Sequence, residues 1–165
     1  HEALRKVVQD VHAALGPVTV LHWNAYTGGA GNLKTSTPEE LRVVLDVAVV
    51  GLIAATQAAL PDLKAEKGAV LVTGGGFAFY DSQVDASAAQ WGAAGVAIGK
   101  AAQHKTVGLL QHTLAGDGVF VGEVVVTGAV KGTAFDTGNA TLEADDIAEK
   151  FWQLVEARSA TSVTV

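Results

Sequence analysis

The stretch "VAIGKAAQ" carries one charged side chain, Lys100, in a run of alanine, glycine and valine. Two readings of that amine are open. Its stem lies along the surface and the charge reaches water, or the amine faces a site. Few other groups could do chemistry. His22 is the penultimate residue of the apolar run "VTVLHW", near the strand end where parallel α/β sheets gather ligands. "TGGG", from Thr73, mimics a phosphate-cradling loop, but the Gly-x-Gly-x-x-Gly spacing is not completed there. His12, His104 and His112 fall in helical patterns and read as solvated. No His/Asp/Glu spacing suggests a metal site.

Composition narrows the classes. The 165 residues are 49% hydrophobic and 17% charged, enough for one compact domain, and disorder is not expected. A net charge of −6 argues against a nucleic-acid surface. No uninterrupted apolar run reaches the ~20 residues of a membrane span. The richest, Leu41 to Leu60, is interrupted by Arg42, Asp46 and Gln57. With no cysteine there is no disulfide or thiol chemistry, and the cytoplasm is the default compartment. The chain opens at His1 inside an amphipathic pattern and contains no Met. It reads as a piece of a longer protein, or as a processed one.

The elements that must position these groups follow from periodicity. Leu4, Val7, Val8, Val11 and Leu15 make a helix over Glu2 to Leu15, ended by Gly16-Pro17. Strands are predicted over 18–23, 68–76 and 119–127. Thr37-Pro38-Glu39-Glu40 is a capping box. The helix it opens should run to Leu60, closed by Pro61, and is apolar on most sides. It is either a buried core helix or one with a core face and a subunit-interface face. A second long helix is predicted within 86–115. Thr141 should cap a last helix with an acidic first turn, and "TSVTV" could be a final strand. Apolar strands alternating with long helices predict a three-layer, doubly wound parallel sheet over residues 1–165.

Several stretches, in order, resemble the short-chain dehydrogenase/reductase (SDR) family. "GPVTVLHWNAY" is similar to the family's fourth strand and its Asn-Asn-Ala-Gly turn, here Trp23-Asn24-Ala25-Tyr26. "TPEELRVVLDVAVVG" resembles the next helix and "KGAVLVTGG" the fifth strand. "VAIGKAAQ" resembles the Tyr-x-x-x-Lys helix, and "LAGDGVFVGEVVVTG" the run into the sixth strand. The resemblance implies a Rossmann-like fold lacking its first strands, and NAD or NADP as cofactor once the N-terminal half is present. It assigns Lys100, Asn24, Ala25 and Thr133 to the cofactor. It also implies a homodimer paired through helices 37–60 and 86–115. No nucleic acid, membrane or metal partner is expected.

The resemblance equally marks departures. The family's catalytic tyrosine, serine and asparagine fall on Val96, Gly75 and Ala48. None of these can give a proton or polarise a carbonyl. The expectation is an oxidoreductase-like protein whose reaction centre is degenerate. The alternatives are an active enzyme drawing Tyr80 and Ser82 from a lengthened loop, and a non-catalytic dimeric interaction module. Tyr80 could supply the missing phenol and Ser82 the missing hydroxyl. The plainer reading leaves Tyr80 at a loop edge with its hydroxyl in water. The small face Gly92, Ala93, Ala94, Gly95 and Gly99 is read as a packing surface.

Overall fold

The computed structural model describes residues 1–165. Four parallel strands form one sheet in chain order: β1 (Val20–Trp23), β2 (Ala69–Gly75), β3 (Phe120–Val126) and β4 (Ser162–Thr164). The pairs are in register at Leu21 with Val70, Val70 with Val121, and Val124 with Val163. The doubly wound layout expected from the alternation is present. Helix α1 (Glu2–Leu15) precedes the sheet and ends at Gly16, whose φ of +93° suits glycine.

Helix α2 (Pro38–Leu45) opens with the capping box: the Glu40 amide donates to Thr37 Oγ1, and the Thr37 amide donates to the Glu40 carboxylate. One wide turn, Asp46–Val50, joins it to α3 (Gly51–Ala65). The helix therefore passes Pro61 rather than stopping at Leu60. Its last turn is held from outside: Leu63 is fully buried, and Asp62 accepts a hydrogen bond from the Val18 amide at 2.9 Å. By length and composition, the 28 residues Pro38–Ala65 could cross a membrane. Leu52, Ala55, Ala59 and Leu63 are instead spent on the core against the sheet.

The long helix expected within 86–115 is two helices. Helix α4 (Ser82–Gln90) is capped by Asp81, which accepts from the amides of Gln83 and Val84. Helix α5 (Ala94–Leu114) follows a break in which Gly92 takes φ +62°. The glycines of α5 allow close approach. A Cβ on Gly99 would stand 2.9 Å from Val44 and 3.3 Å from Ala48, so α5 is seated on α2 and the wide turn. The small face is thus a packing surface. Helix α6 (Ala144–Ala157) starts after Glu143, and Thr141 does not cap it. Asp145 and Asp146 still place negative charge at its first turn.

Two cores flank the sheet. Val70, Val72 and Val121 pack on the α3 and α5 side with Leu52, Leu63, Val107 and Leu114. Leu71, Phe120 and Val124 pack on the other side with Leu154 of α6. Full burial of such a side chain contributes about 1.5–3 kcal/mol. The same alternation aims a charge inward: Glu123, two residues after Val121, must face α5.

Candidate functional site

Lys100 lies on the inner side of α5, its stem running beside Gly75, 3.5–3.7 Å from where a Cβ there would stand. Its Nζ donates to the Thr73 carbonyl at 2.6 Å and to Gln103 Oε1 at 2.9 Å. Burial pushes its pKa below the usual lysine range, and the nearby Glu123 carboxylate pulls the other way. The amine is therefore neither snorkelled nor free.

Gln103 is one turn along the same helix face and fully buried. Its Nε2 donates to the Ala48 carbonyl at 3.2 Å. That carbonyl lies in the wide turn Asp46–Val50, where the normal helical ladder is broken. One amide thus ties the amine to the α2–α3 helix.

On the β3 side sits a second polar pair. Glu123 is fully buried in mid-strand. Its Oε2 meets His104 Nδ1 at 2.5 Å and accepts from Ser162 Oγ at 3.3 Å, while Oε1 has no partner. The His104 ring stands edge-on to Phe79, centroids 5.9 Å apart. The solvated reading of His104 is corrected by this pair. His12 is likewise bound: its Nδ1 is 2.8 Å from Asp62 Oδ2. That contact first, and the Val18 amide next, hold Asp62 below the usual carboxylate range.

Lys100 and Gln103 line a small recess with Ala25, Tyr26, Val44, Ala48, Val96 and others. The three positions read as departures, Ala48, Gly75 and Val96, do surround Lys100. Of the residues assigned to the cofactor, Ala25 and Lys100 share the recess. Asn24 is exposed beside them, and Thr133 lies in the loop after β3, its hydroxyl donating to the Val130 carbonyl. Tyr80 is fully exposed and, like Ser82 at the first turn of α4, does not line the recess. The tyrosine that does line it is Tyr26, 53% exposed, whose ring is 6.3 Å from that of Phe135.

His22 does not line the recess. Its Nε2 is 2.9 Å from Thr73 Oγ1 and its ring is 4.6 Å from Phe151. Partial burial there lowers its pKa.

The family model described as short chain dehydrogenase matches residues 1–141. The chain belongs to the short-chain dehydrogenase family. No curated protein matches it by sequence. Among solved structures, it is similar to the enoyl-[acyl-carrier-protein] reductase (NADH) of Aquifex aeolicus VF5, at 20% identity and TM-score 0.80, covering 99% of this chain and 67% of that one. It is similar to a gluconate 5-dehydrogenase of Burkholderia cenocepacia in complex with NADP and tartrate, at 14% identity and TM-score 0.81, covering 100% and 69%. It is also similar to an alcohol dehydrogenase of Thermococcus sibiricus complexed with 5-hydroxy-NADP, at 21% and 0.74, covering 99% and 69%. Such identities speak for the fold. The chain spans about two thirds of the length of these proteins.

Sequence reasoning found Lys100 and the recess wall but missed Gln103, the Glu123–His104 pair and Tyr26. A signal existed for Glu123: it is the only charged residue in the apolar strand "VFVGEVVVT". Gln103 is signalled by its i+3 spacing from Lys100, which puts both on one helix face.

Proposed function

We propose that this short-chain dehydrogenase chain keeps the family's nicotinamide-side cleft but has lost the family's proton transfer at Lys100. The observation that carries this reading is the surroundings of Lys100. Hydrocarbon from Val96, Ala48 and Val44 walls the recess, and Gln103 takes one of the amine's bonds. No group stands at Val96 to hand a proton to a substrate oxygen.

The residues present fit a bound nicotinamide nucleotide in one respect. With Thr73 and Gln103 as partners, Nζ has one bonding position left, and the recess beside Ala25 faces it. A ribose hydroxyl, which both donates and accepts, suits that position. Lys100 and Ala25 would hold the nucleotide, with Asn24 at the mouth. The bound group would supply hydride chemistry; the chain's own part is to bind and orient it. The NADP and 5-hydroxy-NADP complexes of the two similar dehydrogenases support the same cofactor class.

The test measures NADH and NADPH binding by nucleotide fluorescence and carbonyl reduction by nucleotide consumption, on the protein at its natural full length. Binding without turnover is expected. Turnover at ordinary family rates would overturn the reading.

A second reading, a homodimer, is favoured by exposed apolar side chains on the long helices. Val43 and Val50 are 48% and 44% exposed, and Leu109 on α5 is 58% exposed. Isologous pairing of such faces would cover them.

A further inference from the structure

Gln103 is a fully buried carboxamide on the inner face of α5. Burying an amide costs free energy unless its polar atoms are bonded. Here both ends are used. Oε1 accepts from Lys100 Nζ at 2.9 Å, and Nε2 donates to the Ala48 carbonyl at 3.2 Å. The ammonium only donates and the carbonyl only accepts, so a single orientation of the amide satisfies both.

The brace behind the amide is rigid. The carbonyl it reaches belongs to the wide turn Asp46–Val50, and Ala48 is itself buried. One helical turn before Gln103, a Cβ on Gly99 would stand 3.3 Å from the Ala48 Cβ, so backbone packing fixes the gap that the side chain spans. Ala48 is also where the family resemblance places an asparagine. Helix α5 thus returns a carboxamide to that place from the opposite side. Lys100 is held between the Thr73 carbonyl of β2, at 2.6 Å, and this braced amide. A lysine stem has no such fixed direction of its own, because its bonds rotate freely.

We propose that Gln103 is a positioning residue: it fixes the direction of the Lys100 amine at the recess and thereby sets the affinity for a nicotinamide nucleotide. This rests on the nucleotide reading above and assigns that site a further determinant. The effect of Gln103 on the nucleotide passes through Lys100.

The experiment is a cycle on the protein at its natural full length: wild type, Gln103→Leu, Lys100→Met and the double variant. Dissociation constants for NADH and NADPH are read by nucleotide fluorescence. Loss of a hydrogen bond to a charged group is worth about tenfold or more. Gln103→Leu should therefore weaken binding about tenfold where Lys100 is present. In the Lys100→Met background it should change binding by less than about twofold. Equal weakening in both backgrounds, as a purely structural role would give, overturns the proposal, and so does no weakening in either. Gln103→Met, of similar length, takes the place of leucine in the cycle if urea unfolding shows that leucine is not accommodated. Spectra of isotope-labelled lysine read the same role without nucleotide. Lys100 should show distinct ε-proton signals in the wild type, the mark of a fixed stem, and Gln103→Leu should merge them. Merged signals in the wild type, or distinct ones in Gln103→Leu, overturn the positioning of the amine. A wild type with distinct signals that binds neither nucleotide would count against the nucleotide reading instead.

Discussion

The Glu123 carboxylate occupies the space that a side chain at Gly74 would fill. A Cβ built on Gly74 would stand 2.7 Å from Glu123 Cδ and 2.9 Å from Cγ. The two residues face each other across adjacent strands, and each permits the other. Gly74→Ala should destabilise the protein by about 1–3 kcal/mol through overpacking. In a Glu123→Ala background the same change should cost much less. Urea unfolding of the two singles and the double reads the coupling, expected at about 0.5–3 kcal/mol; strict additivity would refute the contact.

Breaking the His104–Glu123 pair should depend on which partner is removed. His104→Ala leaves a fully buried carboxylate with only Ser162 Oγ beside it, at 3.3 Å. Its cost should fall near the lower end of about 3–5 kcal/mol, because the imidazole is 37% exposed and screened. Glu123→Leu removes the buried charge itself and should cost less. Urea midpoints at neutral pH give the order.

Much of this architecture was legible in the chain, for identifiable reasons. The strands announce themselves because both faces are buried, as Val70 and Leu71 show by packing into opposite cores. The capping box at Thr37 predicts its own hydrogen bonds. What misled was local punctuation overruled by packing. Pro61 lies inside a helix because Leu63 and Asp62 anchor the turn beyond it. Gly92 divides what reads as one helix because only tertiary contacts decide whether a glycine in a small-residue run bends. Tyr80 and Ser82 drew attention by chemical type alone, whereas Gln103 reached the site by helical register. Register carries spatial information that residue type lacks.

Lys100 should make stability rise with pH on the alkaline side. Its folded pKa is lowered from 10.5, by burial first and against the pull of Glu123. Between the folded and unfolded values the unfolded chain binds more protons, so unfolding becomes harder as pH increases. Below that window the penalty is fully present. Relative to Lys100→Met, the wild type should therefore gain stability as pH rises from the lowered folded pKa toward 10.5. Asp62 works in the opposite range: held low by His12 and the Val18 amide, it contributes stability that is lost as pH falls through its folded value. Paired unfolding curves across pH check both signs.

The exposed apolar side chains of the long helices should be covered in solution. Light scattering at micromolar concentration should give a dimer mass. Leu109→Lys and Val50→Lys each put a charge on the exposed faces, and either should shift the population toward monomer. A monomer in the unaltered protein, or no response to both substitutions, would remove the pairing.

The proposed loss of proton transfer can be tested by introducing the groups that the family resemblance assigns to Gly75 and Val96. Gly75→Ser is sterically allowed, since its Cβ would meet the Lys100 stem at 3.5–3.7 Å, ordinary contact distances. Val96 lines the recess with Lys100, so Val96→Tyr would bring a phenol to the wall where the amine lies. General acid catalysis by a positioned side chain contributes about 10²–10⁴-fold. In the full-length protein the double variant should raise NADPH-dependent carbonyl reduction at least about a hundredfold over the parent. Val96→Phe with the same serine should not, because it restores the ring without the hydroxyl. Equal rates in the tyrosine and phenylalanine variants would mean that the absent phenol is not what limits this centre.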